Sequence, residues 1–299
     1  MNLIEEFQAD CKIRSITGIK IYTLYARDFS EFLKSKNKEP QDATRDDLKA
    51  YLIALRERGL KQSSIDRVFT VISGFYAFMM DEGIISSNPI LPFRKRYLRK
   101  FKDDNDSEIR QFISIEQAAI LINSILNSRD KAMMTLLFKT GMRRGELCRL
   151  DIEDIDMKKM EIMLKQTAKR SNRRLFFDYE TADILHTWLK ARKTRTNGTA
   201  LFPSNIADRI SPAEVDWIVK KHAEHVGLHN SRSKRLEDRF TPHCCRHWFT
   251  THLRRAGMPR EFIQELRGDV RKEAIDIYDH IDKKELRESY LAHIPQLGI

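Results

Sequence analysis

The stretch Met160-Glu161-Ile162-Met163-Leu164-Lys165, followed by Ala168-Lys169-Arg170-Ser171-Asn172-Arg173 and then Arg174-Leu175-Phe176-Phe177, sets the fold class. Two short strand-like runs bracket a turn crowded with cations, so residues 160–177 read as a β-hairpin with a basic tip. On both sides of it the apolar residues recur at helical spacing. Upstream, Ser114-Ile115-Glu116-Gln117 is a capping box ahead of the apolar run 118–126. A second helix runs from Arg129 through Met133, Leu136, Leu137 and Phe138 to Thr140-Gly141. Downstream, helices are expected over 180–192, 212–225, 242–255 and 259–267, with a further segment around Tyr278. Pro212, Pro242 and Pro259 each stand where a helix begins, a place that needs no proline N–H. The expected fold is mainly α with a small antiparallel β-sheet.

Farther upstream the chain is helical again. Ile21, Leu24, Tyr25, Phe29, Phe32 and Leu33 form one apolar face; Thr44 with Asp46 and Asp47 opens a second helix that Gly59 ends. A third runs from Ser63 or Ser64 through Val68, Ile72, Phe75, Phe78 and Met79 to Gly83, before Asn88-Pro89 and Pro92 break the pattern. This assigns a helical domain to residues 1–92. Residues 93–111 change character: Phe93-Arg94-Lys95-Arg96-Tyr97-Leu98-Arg99-Lys100 is basic and Asp103-Asp104-Asn105-Asp106-Ser107 acidic, which reads as an interdomain linker. Arg94, Lys95 and Arg96 there are candidates to lie along phosphates, with a solvated tether as the alternative. Residues 112–299 form the second domain.

The whole chain has 299 residues, with 54 Lys and Arg against 43 Asp and Glu, a net charge of +11. Residues 1–100 hold 18 basic and 13 acidic groups and the remainder 36 and 30, so both halves carry the excess. A polyanionic partner is the natural complement. Cys11, Cys148, Cys244 and Cys245 have no metal-ligand spacing and read as reduced thiols. The first residues lack a basic segment followed by an apolar core, and no run of about 18 apolar residues occurs. The expectation is a cytoplasmic protein with no membrane segment.

Phosphodiester transfer without a metal needs guanidiniums for the charge on the non-bridging oxygens and a proton donor for the leaving oxygen. Arg143, in Thr140-Gly141-Met142-Arg143-Arg144-Gly145-Glu146-Leu147, is followed by Glu146, either a brace for its guanidinium or a surface ion pair. His243 and Arg246 are three apart in Thr241-Pro242-His243-Cys244-Cys245-Arg246-His247, hence on one helical face. Lys169 shares the hairpin with Arg170, Arg173 and Arg174, so one of the four can enter a site while the others meet backbone phosphates; a solvated basic turn is the alternative. Tyr278 lies in Ala274-Ile275-Asp276-Ile277-Tyr278-Asp279-His280, and a phenol of pKa about 10 is a poor nucleophile unless cations surround its target. Asp151, Glu153, Asp154 and Asp156 read as a turn before the sheet rather than a metal set. His222, His225 and His229 read as helix-surface histidines.

Together, from about residue 18 to 294, these elements resemble the tyrosine recombinases, the phage-type integrases and Xer-like resolvases. The resemblance rests on the Arg143 segment, Lys169 before Arg173-Arg174-Leu175, His243-Cys244-Cys245-Arg246-His247 with Thr250-Thr251-His252-Leu253, Ile263-Gln264-Glu265-Leu266-Arg267-Gly268, and Ile277-Tyr278. It implies an N-terminal helical SAM-like core-binding domain and a C-terminal catalytic domain. It further implies that Arg143 and Arg246 bind the scissile phosphate, Lys169 is the general acid toward the 5′ oxygen, His243 assists proton transfer and Tyr278 forms a 3′-phosphotyrosyl bond. No metal, ATP or other cofactor is implied. The implied partner is double-stranded DNA, held by a homotetramer on paired sites that is monomeric without DNA. The last apolar face, Leu286, Tyr290, Leu291 and Ile294, docks on a neighbouring protomer in such recombinases; folding back on its own domain is the alternative.

One position departs from the family. Where a histidine or tryptophan is usual, nine residues before the tyrosine, this chain has Asp269, which is similar to archaeal mobile-element integrases. An ionised carboxylate donates no hydrogen bond. It can brace Arg143 or Arg246, accept the Tyr278 proton, sit protonated beside the phosphate, or cap a helix. The rival readings are a type IB topoisomerase, which shares the chemistry and reseals the original strand, and a DNA-binding regulator that has lost activity through Asp269.

Overall fold

Thr44 does at its helix what its sequence requires: its Oγ1 accepts from the Asp47 N–H at 3.4 Å, and Asp47 Oδ2 accepts from the Thr44 N–H at 2.9 Å. The computed structural model in which this is seen describes residues 3–16, 18–98, 111–166, 174–193, 198–233, 235–269 and 281–299. Two compact units divide at Asn105 and Asp106. The first holds α1 (Leu3–Ile13), α2 (Ile19–Lys34), α3 (Arg45–Glu57), α4 (Gln62–Asp81) and α5 (Ile90–Tyr97).

Its core is aromatic. Phe7 packs on Phe75 with ring centroids 5.0 Å apart, and Phe69 stacks on Phe93 at 5.4 Å. Two buried phenols keep their hydrogen bonds: Tyr51 donates to Asp28 Oδ2 at 2.6 Å and Tyr76 to the Pro40 carbonyl at 2.5 Å. Two helices here differ from the sequence expectation. Ile4, Phe7 and Cys11 give α1 a buried face at helical spacing. Residues 93–98, read as linker, instead complete α5 and its cap: Phe93 and Leu98 are buried, and Tyr97 packs on Phe93 with ring centroids 4.7 Å apart. The cations between them mask an apolar face one helical turn long. Arg94 donates to Thr70 Oγ1 at 2.8 Å, and Lys95 and Arg96 are exposed.

The second unit contains α6 (Ile115–Asn123), α7 (Ser128–Thr140), α8 (Arg144–Arg149), β1 (Ile155–Asp156), β2 (Glu161–Met163), β3 (Arg174–Phe176), α9 (Tyr179–Lys193), α10 (Pro212–His225), α11 (Pro242–Arg255), α12 (Arg260–Arg267) and α13 (Lys283–His293). The two strand-like runs pair antiparallel with Ile162 opposite Leu175, the basic tip lying outside the described residues, and β1 joins β2 antiparallel to give the order β1-β2-β3. The acidic run forms the expected turn: Asp154 accepts from the Asp151 N–H at 2.8 Å, and Asp156 accepts the Lys159 N–H at 2.9 Å. Asp151 also pairs with Lys165 and Arg209.

α7 is the centre of this unit. Residues 132–140 are buried on every side, so it reads as a core helix without an exposed stripe. Phe138 meets Trp248 of α11 edge-on at 5.1 Å. Its one buried cation in that stretch, Lys139, donates to Asp178 Oδ2 at 2.6 Å, Glu180 Oε2 at 2.5 Å and the Pro295 carbonyl at 2.8 Å. Burial would raise both carboxyls, but the Lys139 ammonium and further hydrogen bonds outweigh it and hold them below the ordinary range. Glu180 accepts the Leu297 N–H at 2.9 Å, and Tyr290 donates to the Lys139 carbonyl at 2.9 Å. The C-terminal segment thus folds back on its own domain, with Leu286, Tyr290, Ile294 and Leu297 in the core. Removing a cation from such a knot leaves the buried Asp178 and half-buried Glu180 carboxylates without their counter-charge. Lys139→Met is expected to destabilise the chain by about 3–5 kcal/mol, read from urea unfolding; a loss under about 1 kcal/mol contradicts this account of the knot.

Candidate active site

Three helix ends of the second unit meet at one place. α7 stops at Gly141, whose backbone is left-handed at φ 59°. A side chain there is doubly excluded, because a Cβ would lie 2.4 Å from Phe249 Cδ1 of α11. The chain then turns so that Arg143 precedes α8. Glu146 accepts both the Arg143 backbone N–H, at 2.7 Å, and its Nη1, at 3.1 Å. The brace reading of Glu146 is the observed one, since its side chain is buried while that of Arg143 stays about one third exposed.

Arg246 projects from α11, one turn before Phe249. Its Nη1 donates to the Gly141 carbonyl at 2.6 Å and its Nη2 to the Arg267 carbonyl at 2.9 Å. These two anchors hold the guanidinium plane against both neighbouring helix ends. Burial and the adjacent Arg143 and Arg267 push its pKa down to about 10, which leaves it charged at neutral pH. His243 sits in the first turn of the same helix and lines, with Arg143, Arg144, Thr241 and Arg246, a cleft open to solvent.

Asp269 completes the cluster. α12 ends in a Schellman motif: the Gly268 N–H reaches the Glu265 carbonyl at 2.8 Å and the Asp269 N–H the Gln264 carbonyl at 3.2 Å. That turn aims the carboxylate at the arginines. Oδ1 lies 3.5 Å from Arg143 Nη2 and 3.3 Å from Arg246 Nη2, and Oδ2 lies 3.0 Å from Arg267 Nε. Of the roles open to it from sequence, bracing the two arginines has this geometry.

Sequence reading therefore brought Arg143, Glu146, His243, Arg246 and Asp269 to one site, and the structure places them together. It did not single out Arg267, although an arginine two residues before an aspartate across a helix-ending glycine was a usable signal. Lys169, Arg170, Arg173, Tyr278 and His280 lie outside the described residues. Arg174 begins β3 and pairs with Glu161 on β2 at 3.1 Å. Two of the histidines read as surface groups are not: His222 Nε2 is 3.1 Å from Asp130 Oδ2, and buried His229 accepts the Phe240 N–H at Nδ1, 3.0 Å away. Sequence could not show those partners, which are 92 and 11 residues distant. His225 is exposed, as expected.

Residues 106–285 match the family model described as the phage integrase family, and residues 3–85 match the N-terminal SAM-like domain of phage integrases. The chain belongs to the phage integrase family. Its curated relatives are tyrosine recombinases, enzymes that transfer DNA strands. Tyrosine recombinase XerA of Pyrococcus horikoshii is 28% identical over 298 residues, covering 96% of this chain and 92% of that one. Tyrosine recombinase XerC of Thermodesulfovibrio yellowstonii is 27% identical over 279 residues, covering 89% and 87%. Among solved structures, the Tn1549 transposon integrase in complex with transposon right end DNA matches with a TM-score of 0.67 at 17% identity, over 96% of this chain and 98% of that one. That match extends to the fold, a helical two-domain chain with the small sheet. Among the described residues no helix is long and apolar enough to cross a membrane.

Proposed function

We propose that this family member is a site-specific DNA recombinase that cleaves and rejoins strands through Tyr278. The carrying observation is the convergence of the Arg143 and Arg246 guanidiniums, 3.5 and 3.3 Å from one carboxylate oxygen, at a cleft that His243 also lines. Two fixed guanidiniums beside a solvent-open cleft suit the non-bridging oxygens of one phosphodiester. Tyr278 Oη attacks the phosphorus and passes its phenolic proton to solvent by way of His243, the bond to the 5′ oxygen breaks, and Lys169 protonates that oxygen as it leaves. His243 assists proton transfer. The 3′-phosphotyrosyl linkage keeps the energy of the broken bond, so a second 5′ hydroxyl can reverse the step on a new partner strand.

Arg94, Lys95, Arg96, Arg170, Arg173 and Arg174 are assigned to backbone phosphates, which position a duplex without reading its sequence. Arg174, already paired with Glu161, contributes least of these. The partner is double-stranded DNA, in the cytoplasm, with four protomers on two paired sites. The Tn1549 integrase, whose fold this chain shares, was solved on transposon DNA. The segment between the domains is assigned to the residues beyond Leu98, since α5 takes 93–98 into the first unit.

The test is a supercoiled plasmid bearing two direct copies of the junction that flanks the gene. Resolution into two circles is the expected result. Relaxation alone would indicate a topoisomerase, and an unchanged plasmid would remove the catalytic reading.

A further inference from the structure

Arg267 meets two members of the site, Arg246 and Asp269. Its carbonyl accepts from Arg246 Nη2 at 2.9 Å, and its Nε lies 3.0 Å from the Asp269 carboxylate that both Arg143 and Arg246 face. The charges explain why a cation is needed there. Arg143 and Arg246 are matched one for one by Glu146 and Asp269, and Arg144 is matched by Asp216 at 3.5 Å. Among the described residues those pairings cancel charge for charge. Moreover, Asp269 Oδ1 accepts from Arg246 Nη2 at 3.3 Å, a donor that a phosphate oxygen would otherwise use. Arg267, on the other carboxylate oxygen, returns the group of Arg143, Arg246, Arg267, Glu146 and Asp269 to a net charge of +1, the complement of one phosphodiester.

We propose that Arg267 is a positioning residue of the strand-transfer site, neutralising Asp269 and holding it back so that Arg143 and Arg246 keep their positive field for the scissile phosphate. The proposal rests on the recombinase reading above. Arg267 and Asp269 then act as one unit: the aspartate orients two guanidiniums, and the arginine cancels the charge the aspartate brings. The Schellman turn at Gly268 supplies the geometry, since it folds residue 269 back beside residue 267. An unpaired Asp269 should be worse than no carboxylate, because it would compete with the phosphate.

The experiment is single-turnover cleavage of a nicked duplex carrying the junction sequence by the full chain. The variants are Arg267→Lys, Arg267→Gln, Asp269→Asn and the double variant Arg267→Gln with Asp269→Asn. Arg267→Gln is expected to slow adduct formation at least about tenfold, and Arg267→Lys by no more than about threefold. In the Asp269→Asn background, Arg267→Gln should cost no more than about threefold further, because the charge it cancels is gone. Equal losses from Arg267→Gln in both backgrounds would show a purely structural role and overturn the proposal, as would no loss at all. If Arg267→Gln does not fold, Arg267→Lys carries the test, and a loss beyond about tenfold with the charge retained is contradictory. Wild-type protein that forms no adduct would instead remove the recombinase reading, and this proposal with it.

Discussion

Tyr278→Phe will form no covalent complex with a nicked duplex that traps the wild-type protein, while binding the same duplex with unchanged affinity. The substitution removes one hydroxyl and no charge, so electrostatic capture of DNA by the basic surface should be untouched. Loss of a nucleophile leaves only binding and charge stabilisation, and cleavage should fall on the order of 10⁴-fold or more, below detection on a denaturing gel. Parallel gel-shift and adduct measurements separate the two quantities. Residual adduct in Tyr278→Phe would mean that another side chain attacks.

Arg246→Ala carries the second large effect. Its guanidinium is the most enclosed of the site, tied to the Gly141 and Arg267 carbonyls and facing Asp269. Removing one preorganised donor from such a site typically slows the chemical step about a hundred- to a thousandfold, and a loss of at least that order is expected here. Alanine also strands two carbonyls and the carboxylate, so part of the loss will be in folding. Arg246→Lys separates the two contributions. It keeps the charge, yet a single ammonium cannot span both carbonyls and a phosphate as the planar fork does, so a slowing of at least about tenfold is expected. Cleavage rates set beside thermal midpoints check this. A lysine variant with wild-type rate would show that charge alone is required there.

Much of this was legible in the chain, for reasons of locality. Ser114 with Gln117, and Thr44 with Asp47, cap their helices within one turn, so the signal and the contact share a short window. Pro212 and Pro242 open α10 and α11 where the ring is tolerated. The two strand-like runs pair as read, but β1 is two residues long and borrows its identity from β2. Such a strand leaves almost no pattern.

What was missed depends on residues far apart in sequence. Lys139 was not singled out in its helix; its partners are 39 and 41 residues away. The final apolar face fits either a neighbour or its own domain, and contacts such as those of Glu180 with residues 297 and 298 and of the Tyr290 hydroxyl with the Lys139 carbonyl show the second arrangement here. α5 was lost because Arg94, Lys95 and Arg96 outweigh Phe93 and Tyr97 in composition, although the spacing of those two aromatics is one helical turn. At the site, Asp269 was visible as a departure, whereas its use required seeing three guanidiniums on one carboxylate.

The most direct measurement is to trap the adduct, digest it with trypsin and nuclease, and fragment the peptide of residues 273–283 by mass spectrometry. The prediction is a nucleotide 3′-phosphate on Tyr278. Attachment to a different side chain, such as Tyr179, which is 75% exposed, or linkage through a 5′ phosphate, would contradict it.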